Sequence, residues 1–180
     1  MKNSVQIQTG HLFDFLDIDA SLLTVEVIAH ALSHLCRFTG HTREFYSVAQ
    51  HSVYGSWVVP PQDAFAGLMH DAAEAVIGDV SSPLKALLPD HRAIEGRVEA
   101  ELFARFGLPA KLPDSVKQAD RLLLAIEQRD LMPVGERQDD ASGLALPETK
   151  IIPFAPDVAK TAFLRRYAQL RDQGLAPKFL

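Results

Sequence analysis

Only one cysteine, Cys36, occurs in the chain, so an internal disulfide framework is excluded and a reducing compartment fits. No run of about 20 apolar residues offers a membrane span. Met1-Lys2-Asn3-Ser4-Val5-Gln6 leads into no apolar stretch of the secretory kind, so a cytoplasmic protein is expected. Basic excess is also missing, the formal net charge being −5. That argues against binding long nucleic acid. A small anionic ligand needs only a few local cations and is not excluded. Repeats and low-complexity segments are absent, and no long apolar segment alternates as a half-buried strand does.

What the chain does have is 47% hydrophobic residues, enough for the core of one domain spanning 1–180. Helical periodicity runs through every long apolar segment, which predicts an all-α bundle. Expected helices cover about Thr24–Cys36, Ser47–Val58, Gln62–Val76, Ser82–Leu88, Asp90–Phe106, Asp114–Asp130 and Asp157–Asp172. Ser47, Ser82, Asp90 and Asp114 read as their caps, with Gln50 at a capping-box position. Residues 1–20 read as an irregular leader packed on the domain through Leu12, Phe13, Phe15 and Leu16. Residues 132–156 read as a loop-rich insertion, with any strand confined to Leu144–Phe154. His91, Arg92, Glu95, Arg97 and Glu99 read as a solvated face.

The stretch from Met69 to Lys85 organises the chain. His70 and Asp71 are adjacent and Glu74 follows His70 by four, so an imidazole and two carboxylates share one sector of the expected helix. Leu68, Met69, Ala72 and Ala73 surround them. Carboxylates among apolar residues are costly unless paired or bound to a cation, which makes this a metal-site candidate. His51 and Asp120 each put one further potential ligand on a core-type helix. His30 and His34 also have a ligand spacing, but these histidines suit a partly buried structural role better. Cys36 reads as a small core residue.

His51, then His70-Asp71, then Asp120, on successive helices, resemble the HD-domain metal-dependent phosphohydrolases. The blocks Tyr46-Ser-Val-Ala-Gln-His51 and His70-Asp-Ala-Ala-Glu74, with Gly78-Asp79 and Pro83-Leu-Lys85, resemble the 5′-deoxynucleotidase branch. They are also similar to small phage enzymes that hydrolyse dATP to deoxyadenosine and triphosphate. The resemblance implies a compact HD-type bundle with one divalent transition metal on His51, His70, Asp71 and Asp120. A mixed nitrogen and oxygen shell suits Mn, Fe, Co, Ni or Zn, with room for additional Mg on substrate phosphates. The resemblance supports catalytic positions for Glu74 and Asp79, for handling water and protons.

Arg37 and Lys85 are the cations expected on substrate phosphates, with Ser81 and Ser82 as added donors. Phe38 stands where related deoxynucleotidases carry an aromatic, usually Trp, against the sugar. The function expected is hydrolysis of a deoxynucleotide, dATP or another triphosphate first, releasing deoxynucleoside and triphosphate. A 5′-deoxynucleotidase acting on dNMP is the alternative, and a non-catalytic nucleotide-binding regulator is an alternative of another class. A zinc peptidase is disfavoured because the helix reads His-Asp-x-x-Glu rather than His-Glu-x-x-His. The compartment would be the host cytoplasm for a phage-encoded chain. Apolar residues in excess of one small core, including Trp57, Phe65 and Phe179, predict a homo-oligomer, a dimer or a hexameric ring of dimers.

Overall fold

The computed structural model describes residues 3–135, 146 and 148–177. Helices dominate it, as the periodicity predicts. Helix α1 spans Val25–His34 and α2 spans Val48–Val58. Each has a side-chain cap: Thr24 Oγ1 accepts from Val27 N, and Ser47 Oγ accepts from Gln50 N. Then follow α3 (Ala64–Met69), α4 (Glu74–Ile77), α5 (Ser82–Lys85), α6 (Pro89–Phe106), α7 (Asp114–Leu131) and α8 (Pro156–Asp172). Helix α6 stops on Gly107 at φ 66°, a left-handed position that glycine takes without a Cβ clash.

Helix α2 is the centre of the bundle, with α1, α3, α7 and α8 all packed on it. It is buried over most of its surface, and the run from Val48 to Val53 is inaccessible throughout. A helix covered on every side can hold a polar group only where a neighbour satisfies it, and His51 is in that run. Helices α2 and α3 approach closely at two glycines. A Cβ on Gly67 would stand 3.0 Å from the Gly55 carbonyl oxygen, and one on Gly55 3.1 Å from that of Gly67. The chain before α8 is fastened to α2 by Gln50, whose side chain donates to Ile152 O at 2.8 Å and accepts from Phe154 N at 2.8 Å. Gln50 therefore spends its amide on a tertiary contact, not on the expected capping box.

Several expectations are corrected. The helix expected over Gln62–Val76 is broken: α3 ends at Met69 and α4 starts at Glu74. Between them the amides of Ala72 and Glu74 reach back three residues, to Met69 O and Asp71 O. This tighter winding replaces the shared α-helical face assumed for His70 and Glu74. The leader is not irregular. Strands β1 (Ser4–Gln6) and β2 (Leu12–Asp14) pair antiparallel, with Val5 opposite Phe13. Phe13 is fully buried and anchors the pair on the core. Three-residue strands are too short to leave an alternation in the sequence. Residues 148–154 carry no strand, and Leu144, Ala145 and Pro147 lie outside the described residues.

Ser82, Asp90 and Asp114 do not cap; they lie in the first turns of their helices, whose cap positions, Ser81, Leu88 and Pro113, make no side-chain cap bond. Helix α6 does turn Val98, Leu102 and Phe106 inward as its spacing predicts. Arg92 and Arg97 are exposed, but His91, Glu95 and Glu99 are partly buried, so the solvated face is narrower than expected. Phe65 is a core residue, Trp57 is exposed, and Phe179 lies outside the described residues. No described helix is long and apolar enough to cross a membrane.

Candidate metal centre

His51 enters from α2, His70 and Asp71 from the tight turn after α3, and Asp120 from α7. Their ligand atoms converge. His51 Nε2 is 3.2 Å from His70 Nε2, 3.3 Å from Asp120 Oδ1 and 3.6 Å from Asp71 Oδ2. His70 Nε2 is 3.2 Å from Asp71 Oδ2. Donors about 2.1 Å from an ion stand about 3.0 Å apart at right angles and about 3.4 Å apart at the tetrahedral angle, so these separations are those of a ligand shell.

The other ring nitrogens fix the tautomers. His51 Nδ1–H donates to Glu127 Oε1 at 2.6 Å, and His70 Nδ1–H donates to the Gly67 carbonyl at 2.9 Å, since neither oxygen can donate. In the neutral rings both Nε2 lone pairs then face the same point, together with two carboxylates. Such an arrangement suits a cation, and His51, His70 and Asp120 form a group able to hold a metal ion.

Glu127 is the residue that sequence reasoning missed. It is fully buried on α7 and takes four contacts. Tyr46 donates at 2.9 Å, His51 at 2.6 Å, and Arg37 donates through Nε at 3.1 Å and approaches through Nη2 at 3.0 Å. Burial works to raise its pKa, but Arg37 and His51 outweigh burial and hold the carboxyl below its usual range. The signal was present: Glu127 follows Asp120 by seven, two helical turns on the same face, directly after the apolar run Leu122–Ile126.

Burial and the Arg37 cation oppose a charged His51, yet Glu127 and Asp120 push its pKa up to about 9. Burial likewise opposes ionised Asp120, but the hydrogen bond with His51 and the charges of both imidazoles hold it well below the carboxylate range.

A cavity of about 820 Å³ opens beside this centre. All the predicted substrate and catalytic residues reach it: Arg37, Phe38, Ser81, Ser82 and Lys85, with Glu74 and Asp79. Glu74 is buried at 7% exposure, and its Oε2 has no hydrogen-bond partner. Burial, reinforced by the charges of Asp71 and Asp79, pushes its pKa up to about 10. Asp79 is raised mainly by burial.

The two expected phosphate cations are already engaged. Arg37 is bound to Glu127 and lies 3.7 Å from Asp71, while Lys85 pairs with Glu95 at 2.6 Å. The rim at Phe38 and Thr39 is wound left-handed, φ 53° at both, and sets the Arg37 guanidinium 5.7 Å from the Phe38 ring centroid. Neither His30 nor His34 reaches this cavity; their rings face each other at 4.4 Å on α1.

Fold and site together define a helical protein with a candidate metal group of His51, His70 and Asp120, Asp71 beside it, at the wall of a cavity of ligand-binding size. The chain is 40% identical to the uncharacterized protein YfdR of Escherichia coli (strain K12) over 166 residues, 91% of this chain and 93% of that protein. It belongs to the same family as YfdR. An uncharacterized protein of Rhodobacter capsulatus is 35% identical over 121 residues, 62% of each chain. No protein-family model matches the chain.

Proposed function

We propose that the protein is a metal-dependent phosphohydrolase of the HD type, acting on deoxynucleotides, with a dATP-type triphosphate as first substrate. The observation that carries this reading is the convergence of His51, His70, Asp71 and Asp120 at 3.2–3.6 Å, beside a cavity that also receives Glu74 and Asp79. One divalent transition ion, held by those four side chains, would supply Lewis acidity toward a phosphoryl oxygen. The residues do the rest. Glu127 and Gly67 keep both imidazole Nε2 atoms aimed inward. Glu74, with an unpartnered buried oxygen, orients the attacking water and takes its proton as the carboxylate, the form that a cation bound beside it would favour, and Asp79 serves the leaving oxygen. Phe38 faces the sugar, and Ser81 and Ser82 add hydroxyl donors at the mouth.

In this reading water forms a bond to the α-phosphorus as the bond to the nucleoside 5′-oxygen breaks, and that oxygen receives the proton. Deoxynucleoside and intact triphosphate are released. A panel of nucleoside mono-, di- and triphosphates with several metals, run in heavy-oxygen water, tests it. Label in the α-phosphate end of triphosphate is expected. Asp71→Ala should lose turnover and metal together, and Glu74→Ala should lose turnover and keep metal. Hydrolysis confined to dNMP would replace the reading with a 5′-deoxynucleotidase, and binding without turnover would replace it with a regulator.

A further inference from the structure

Four cations reach the cavity: Arg37, Lys85, Lys117 and Arg121. The first two carry a neutralising partner each, Glu127 at 3.0 Å and Glu95 at 2.6 Å. Lys117 and Arg121 are different. Both are exposed, and neither makes an ion pair or side-chain hydrogen bond with any described residue. They stand on α7 three residues before and one residue after Asp120. Lys117, Asp120, Arg121, Leu124 and Gln128 recur at helical spacing and together give α7 one face toward the cavity. So the helix that supplies a carboxylate to the metal group supplies free positive charge on either side of it.

In a chain of net charge −5, two uncompensated cations on a concave wall attract an anion locally. They lie one turn apart, about 6 Å along the helix axis. Two separate long side chains at this spacing can each engage a different phosphate of a chain, beyond the one phosphate that the metal group would hold. The side chains differ usefully, since arginine offers a planar fork and lysine a point charge.

We infer that Lys117 and Arg121 form an oligophosphate subsite, holding the phosphates beyond the one at the His51–His70–Asp120 group and setting preference for a triphosphate over a monophosphate. This rests on the phosphohydrolase reading for the position of the first phosphate.

Calorimetric titration of the metal-bound chain with inorganic tripolyphosphate and with inorganic phosphate tests it, with metal content measured before and after. The wild-type chain should bind tripolyphosphate the more tightly. The double variant Lys117→Gln/Arg121→Gln should lose about tenfold or more on tripolyphosphate, the size expected for losing charge-assisted phosphate bonds. Its affinity for phosphate, its metal content and its thermal unfolding should be unchanged. Lys117→Arg should restore part of the loss in an Arg121 wild-type background relative to Lys117→Gln. Equal binding of both anions by the wild type, or wild-type tripolyphosphate affinity in the double variant, would overturn the subsite. If dATP is then still hydrolysed to deoxyadenosine and triphosphate, the phosphohydrolase reading survives. Tight tripolyphosphate binding that depends on both cations, with no nucleotide hydrolysed, would keep the subsite and reject that reading.

Discussion

His51 Nδ1 and Glu127 Oε1 lie 2.6 Å apart, and neither side chain is accessible to solvent. Through this contact α7 sets the ring orientation of a candidate ligand on α2. The same carboxylate neutralises Arg37 and accepts from Tyr46. Removing it leaves a buried guanidinium without its partner. Glu127→Ala should therefore cost about 3–5 kcal/mol of stability. Glu127→Gln should keep more of the fold and weaken metal binding by about 10–100-fold, as loss of an orienting partner does. Denaturant unfolding and metal titration check the two effects separately. A Glu127→Gln protein with wild-type metal affinity would show that Glu127 is structural alone.

The pH dependence follows from His51, whose pKa is 6.5 when unperturbed and about 9 in the metal-free fold. A raised folded pKa adds stability that is complete below 6.5 and disappears as pH rises through 9. Metal-free protein should thus lose stability across that window. Metal needs the unprotonated ring, so apparent metal affinity should climb over the same window and level off above it. Thermal melts with chelator and metal titrations at a series of pH values read out both trends. Glu127 acts in the opposite direction: its depressed pKa adds stability above 4.5 that is lost on acidification.

Gly67 couples packing to the site. Its carbonyl receives the His70 Nδ1–H, and a Cβ at this position would meet Gly55 O and Val59 Cγ2, each at 3.0 Å. Gly67→Ala should force α2 and α3 apart at a cost of about 1–3 kcal/mol, the usual price of overpacking a core. Metal content should fall as well, because His51 stands on α2 and His70 follows directly on the end of α3. Unfolding curves together with elemental analysis decide this. Unchanged stability would mean that the helix pair has slack.

Trp57 is 58% exposed, with Val58 and Val158 exposed as well, and Trp57 and Val158 share a surface groove. Contiguous apolar surface of this kind marks association. The protein should sediment as a dimer or larger at micromolar concentration, and Trp57→Lys should shift it toward the 19.8 kDa monomer. Wild-type sedimentation as a monomer would remove the prediction.

Much of this protein was readable from residue order alone. Helical periodicity defined the fold class, because burial on one face of a helix imprints a 3.6-residue repeat whatever the final packing. The candidate ligands His51, His70, Asp71 and Asp120 stood out because ionisable groups among apolar neighbours need a partner. Tertiary structure decided the rest. The break at His70 was hidden, since a tightened turn and an α-helix have similar composition. The N-terminal strand pair depends on Phe13 finding the core, a contact that no local pattern encodes. Which cations are free could not be read at all. Arg37 and Lys85 are neutralised by Glu127 and Glu95, 90 and 10 residues away, while Lys117 and Arg121 make no ion pair with any described residue. Charge is a property of a residue, but compensation is a property of distances, and only the packed chain sets those.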